Sequence, residues 1–146
     1  MMRSVAAVAV LLGAVVLTSA GWAQDDGFQV IISEKNPVST LAVSDVQLMF
    51  LKSTPLWPKG MKVRPVDLPV GSPVRQRFSL RVMGKADHAV AAYWDHQVFS
   101  GEGVPPPILA SEEAAMAFVA ENPGAIAYVS AAAKLPERVK AIRLTD

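Results

Sequence analysis

The chain contains no cysteine among its 146 residues. That absence excludes disulfides, thiolate metal sites, thiol nucleophiles and lipid attachment through a signal-peptide cysteine. An excess of charge is missing too, since 14 Lys and Arg stand against 13 Asp and Glu. Nothing in that balance draws the chain to nucleic acid or to an anionic membrane, both of which select a basic face. Histidine is scarce: His88 and His96 are the only two, eight positions apart on one predicted helix. At 1.5 Å of rise per residue they stand about 12 Å apart along the axis, too far to share one metal. There is no glycine-rich phosphate loop of the nucleotide type, no G-x-S-x-G elbow and no His-Glu zinc helix. The adjacent carboxylates Asp25 with Asp26 and Glu112 with Glu113 fall at a polar chain start and a helix start, where structural roles account for them. The expectation is a protein that is not an enzyme, with no cofactor and no metal.

What is present begins with an export signal. Arg3 supplies a positive start, and Val5 to Leu17 is an uncharged apolar run interrupted only by Gly13. The run yields to Thr18, Ser19 and Gly21 before reaching the roughly 20 residues a spanning helix needs. Gly21 and Ala23 sit three and one positions before Gln24, the small-residue pattern of a cleavage site. Residues 1–23 are therefore predicted to be a signal peptide and 24–146 a single domain. Removing 23 of 146 residues, with Arg3 the only charge among them, leaves 123 residues carrying 13 basic and 13 acidic side chains. That length can bury a core without staples. No stable membrane insertion is expected after cleavage.

Along the domain, Phe28-Gln29-Val30-Ile31-Ile32 reads as a buried strand ending at Ser33. A helix follows, with Ser44 and Gln47 as a capping box, Val43 stapled to Leu48, and Val46, Met49 and Phe50 on its inner face. The stretch 52–60 is a loop anchored by Trp57. Met61 to Val66 is a second strand, which Pro65 places at an edge or ends early. Gly71, Ser72 and Pro73 then turn the chain into a helix ended by Gly84. A third helix spans Asp87 to Phe99, with Val90, Tyr93, Trp94 and Val98 on one face. "GEGVPPP" at 101–107 is a stiff polyproline II connector. Ser111 caps a helix with Glu112 and Glu113 in its first turn, facing Ala115, Phe118 and Val119 inward. Ala125 to Val129 and Val139 to Leu144 are the last strands. Alternating strands and helices imply an α/β domain with a mixed sheet of about four or five strands flanked by helices.

The helix start at Gly71-Ser72-Pro73 is the candidate site. Free N–H groups and the positive dipole end suit an anion. Arg75 and Arg77 lie where a cation is disfavoured by about 0.3–1 kcal/mol, which asks for a reason. A small oxyanion is one such reason; solvent, or pairing with Asp67, is the other. Ser39 and Thr40, after the first strand, offer two further hydroxyls.

The segments "SDVQLMFLKSTPLWPKGMKVRPVD", "GSPVRQRF" and "NPGAIAYV", in that order, resemble the phosphate-binding receptors of ABC phosphate transporters, a branch of the type II periplasmic binding protein fold. The matching places are Phe50, Trp57, Val63 to Asp67, Ser72, and Pro123-Gly124 leading to Tyr128. The resemblance implies a single-lobe periplasmic binding protein-like domain, since the full receptors are two-lobed and far longer. It places Asp67 where the family carries an arginine, and Gly71-Ser72-Pro73 where the family has a Ser-Gly-Thr turn gripping phosphate. It therefore implies a periplasmic solute-binding-type protein holding phosphate or another oxyanion weakly through Gly71, Ser72 and Arg75, with Ser39 and Thr40 opposite. Its implied partner is an ABC transporter or another envelope protein. The alternative reading is a protein-interaction or adaptor module that has lost its small ligand.

Overall fold

The computed structural model describes residues 26–146. The predicted signal peptide and its cleavage site lie outside the described residues.

Two near-continuous apolar runs make the centre of the sheet. Strand β1 (Phe28–Ser33) pairs antiparallel with β4 (Ala125–Ser130), Val30 opposite Tyr128 and Ile32 opposite Ile126. All five side chains from Ala125 to Val129 are buried. Because successive side chains point to opposite faces, β4 must be covered on both sides. Helices α2 (Pro73–Phe78) and α4 (Glu112–Glu121) both pack on β4 and β1. On β1's other edge lies β5 (Val139–Ala141), antiparallel. Beyond β4 lies β3 (Arg64–Pro65), parallel, giving the order β3-β4-β1-β5. The mixed four-stranded sheet with flanking helices is the architecture the alternating pattern predicts.

Pro65 does end the second predicted strand early, and β3 is an edge of the sheet. Residues 61–63 instead fold back on the preceding loop. The Trp57 N–H donates to the Met61 carbonyl at 2.7 Å and the Val63 N–H to the Pro55 carbonyl at 2.9 Å, with Leu56 and Lys62 bridged antiparallel. Trp57 is buried, and its indole N–H donates to the Gly124 carbonyl at 2.9 Å.

Helix α1 (Val43–Phe50) buries Val46, Met49 and Phe50 as expected, but Ser44 does not cap it. Ala42 holds the cap position, because the short strand β2 (Thr40–Ala42) runs straight into the helix while pairing parallel with β6 (Arg143–Thr145). Gln47 is turned elsewhere, its amide donating to the Met83 carbonyl at 3.2 Å. Helix α2 passes into a π-helical turn at Ser79–Met83, closed by left-handed Gly84. Helix α3 (Asp87–Ser100) buries Asp87, Val90 and Trp94 and leaves Tyr93 and Val98 exposed. The end of the 101–107 connector is not free: Asp67 N–H donates to the Pro107 carbonyl and Leu109 N–H to the Asp67 carbonyl, both at 2.8 Å. The predicted last strand is divided at Ile142 into β5 and β6, which serve different sheets.

An aromatic cluster ties the layers together. Phe78 stands edge-on to Phe28, leans on Phe50 and stacks on Tyr128.

Candidate functional site

Pro73 at the first helical position and Gly71 at φ 88° set the geometry of the turn into α2. Glycine is suited to that left-handed bend. The Gly71 N–H is engaged by the Asp87 carboxylate at 2.6 Å, and the Ser72 N–H donates to the Pro69 carbonyl at 3.1 Å. Ser72 occupies the cap position, yet its hydroxyl makes no cap bond. That oxygen is buried without a hydrogen-bond partner among the described residues.

Arg75 turns inward. Only 2% of the residue is exposed. Its Nη1 donates to the Leu68 carbonyl at 2.7 Å and lies 3.4 Å from the Asp67 carboxylate. The Leu68 N–H at 2.9 Å and the Tyr128 hydroxyl both donate to the other Asp67 oxygen. Of the two sequence-level accounts of this arginine, pairing with Asp67 is the one the fold realises. No local pattern in the sequence joins Asp67 to Tyr128, 61 residues away. Burial, and then the adjacent Asp67 carboxylate, push the Tyr128 phenol well above its ordinary value.

A pocket of about 360 Å³ opens beside the turn. Its polar walls are Ser72, Arg77, Ser111, Glu112, Glu113 and Ser130, over Leu68, Pro69, Pro73, Val74 and Ala110. Ser111 caps α4, its hydroxyl accepting from the Ala114 N–H at 3.1 Å, and Glu112 accepts from the Ser130 N–H. Of the predicted site residues, Ser72 alone lines this pocket; Gly71 adjoins it and Arg75 lies behind it. Ser39 and Thr40 are exposed and are not among its walls. The Ser39 carbonyl accepts from the Arg143 N–H, and Thr40 pairs with Arg143 across β2 and β6. Ser111 and Ser130 reach the pocket from α4 and β4, which a local reading of the α2 start cannot foresee.

A larger, open groove of about 730 Å³ runs between α4 and residues 134–138. Its lining mixes apolar Met116, Ala117, Ala120, Leu135 and Pro136 with the charged Glu113, Glu121, Lys134, Glu137 and Arg138. Among the described residues no group of three or more His, Cys, Asp or Glu side chains could hold a metal ion, and no helix is long and apolar enough to cross a membrane.

No protein-family model matches the chain, and no curated protein sequence does. Solved structures do. An ABC-type phosphate transport receptor from Vibrio cholerae superposes with a TM-score of 0.61 at 19% identity, covering 81% of this chain and 46% of that one. A protein from Clostridium perfringens described as a phosphate ABC transporter substrate-binding protein, with bound phosphate, gives 0.64 at 20%, covering 81% and 44%. A possible phosphate-binding protein from Planctomyces limnophilus gives 0.63 at 15%, covering 82% and 42%. Over about four-fifths of its length the chain has the fold of phosphate ABC transporter substrate-binding proteins, while spanning less than half the length of each.

Proposed function

We propose that the protein is a non-enzymatic solute-binding-type module, exported to the periplasm, that seats a small oxyanion such as phosphate weakly beside the α2 start. The observation that carries this reading is the shared fold with phosphate receptors, one of them with bound phosphate. The pocket supports it with the unpartnered Ser72 hydroxyl, the Ser111 and Ser130 side chains and the Arg77 cation. Glu112 and Glu113 in the same walls oppose a multiply charged anion, and Arg75 is already neutralised by Asp67, so binding is weak. Ser39 and Thr40 stand apart from these donors; the reading relies on Ser72 and Arg77.

Calorimetric titration of residues 24–146 with phosphate and sulfate tests it. Saturable heat in the millimolar range, diminished in Ser72→Ala and Arg77→Ala, is expected. Absence of heat and of any thermal shift at millimolar anion removes the binding claim.

A second reading, an adaptor for an ABC transporter or another envelope protein, is favoured by two observations. The chain spans less than half of the receptors it superposes on, and α3 displays Tyr93, Val98 and a 93% exposed Phe99. Phe99, at the end of α3, is the apolar group a partner would gain most by covering. Crosslinking in periplasmic extract, compared with Phe99→Ser, discriminates: a chain that remains monomeric and uncrosslinked while binding anion counts against the adaptor.

A further inference from the structure

Arg75 is the most deeply buried cation near the candidate site, and the groups around it converge on one carboxylate. Its Nη1 stands 3.4 Å from one Asp67 oxygen, and the Leu68 N–H and the Tyr128 O–H point at the other. Arg75 Nε, also buried, has no hydrogen-bond partner among the described residues. A backbone amide and a hydroxyl donating to one oxygen, with a guanidinium in ion-pair range of the other, are the elements of an oxyanion site. Here the oxygens belong to the chain itself. The Asp67 side chain keeps 11% of its accessible surface and that of Arg75 only 3%, so solvent reaches the seat from the Asp67 side.

We propose that Asp67 is a built-in anion: its carboxylate fills a seat made by Arg75, Leu68 N–H and Tyr128 O–H, closes Arg75 to solutes in the native chain, and on removal leaves a site for a small carboxylate. The backbone on either side holds the seat in place without the carboxylate. Asp67 N–H and C=O are bonded to Pro107 and Leu109, and Arg75 Nη1 is bonded to the Leu68 carbonyl. Phe78, stacked on the Tyr128 ring, keeps that hydroxyl aimed at the seat. Formate supplies the atoms that Asp67→Ala deletes. The seat is distinct from the pocket walls at Ser72 and Arg77, so this inference stands or falls apart from the proposed solute binding.

The experiment is thermal unfolding of residues 24–146, unsubstituted and as D67A, across formate and acetate series with chloride as the ionic-strength control. The unsubstituted chain is expected to show no response beyond chloride. D67A is expected to melt lower and to regain midpoint saturably, by roughly 5 °C at about ten times the dissociation constant. D67A with R75M is expected to lose that response, and D67N, which keeps the shape of the side chain, is expected not to show it. Should D67A fail to fold unaided, refolding from urea across the same formate series replaces melting, and recovery of near-ultraviolet circular dichroism only with formate supports the seat. A response in the unsubstituted chain or in D67N, a response that survives R75M, or a D67A chain neither stabilised nor refolded by formate overturns it. Phosphate heat in the unsubstituted chain reports on the Ser72 pocket and leaves this outcome unaffected.

Discussion

Tyr128 lies stacked on Phe78, ring centroids 3.9 Å apart and planes 7° from parallel, and the hydroxyl at the far end of that ring donates to the Asp67 carboxylate. One side chain thus joins the aromatic core to the charged pair beneath α2. Tyr128→Phe keeps the stack and removes the donor, leaving that Asp67 oxygen with Leu68 N–H alone. A hydrogen bond to a charged group contributes about 1.5–3 kcal/mol, so the urea midpoint should fall by that equivalent with an unchanged slope.

The same hydroxyl makes stability depend on alkaline pH. Its phenol is held above the ordinary value by burial and by Asp67. In the unfolded chain it ionises near pH 10, while the folded chain keeps the proton. The unfolded state then binds fewer protons, so the contribution is complete below about pH 10 and falls by about 1.4 kcal/mol per unit above it. The stability gap between the unsubstituted chain and Tyr128→Phe should narrow accordingly. Parallel pH profiles for the two proteins would refute this.

Two glycines are required for different reasons. A Cβ on Gly124 would lie 2.1 Å from the Lys62 carbonyl oxygen, a contact only backbone movement can relieve. Since the Gly124 carbonyl also accepts from Trp57 and Arg64, Gly124→Ala should cost about 1–3 kcal/mol and shift Trp57 fluorescence toward the red. Gly71 has open space around it but a φ of 88°. Gly71→Ala should cost about 1–2 kcal/mol through torsion alone, with fluorescence unchanged.

The two serine caps separate what was legible from what was not. Ser111 caps α4 as its local sequence predicts, because the preceding residues are loop and nothing competes for its hydroxyl. Ser44 precedes an equally good pattern and fails, because β2 pairs with β6, a partner 103 residues away, and carries the chain into α1 with its cap at Ala42, two residues earlier. β1 and β4 are legible because Val30 to Ile32 and Ala125 to Val129 are short, unbroken apolar runs that the fold buries on both faces. The division at Ile142, whose N–H donates to the Val30 carbonyl, depends on a distant partner that local pattern does not encode, whereas Arg75 turns in to Leu68 and Asp67, seven and eight residues away, the latter a partner its sequence neighbourhood already offers. Ser111→Ala should therefore cost about 1 kcal/mol and Ser44→Ala less than about 0.5.

The Asp67 and Arg75 pair should behave as a unit. Arg75→Met leaves a carboxylate with little solvent and no cation, and losing one partner of a buried pair costs about 3–5 kcal/mol. Asp67→Leu strands the guanidinium, whose remaining bond is to the Leu68 carbonyl. The double substitution removes both charges and should be less destabilising than the sum of the singles, with a coupling of roughly 1–3 kcal/mol in a double-mutant cycle. Additive losses would mean that Arg75 is held by the Leu68 carbonyl and by packing, with Asp67 a bystander. Coupling of that size would show that Asp67 and Arg75 hold each other's charge inside the fold rather than standing as two independent buried ions.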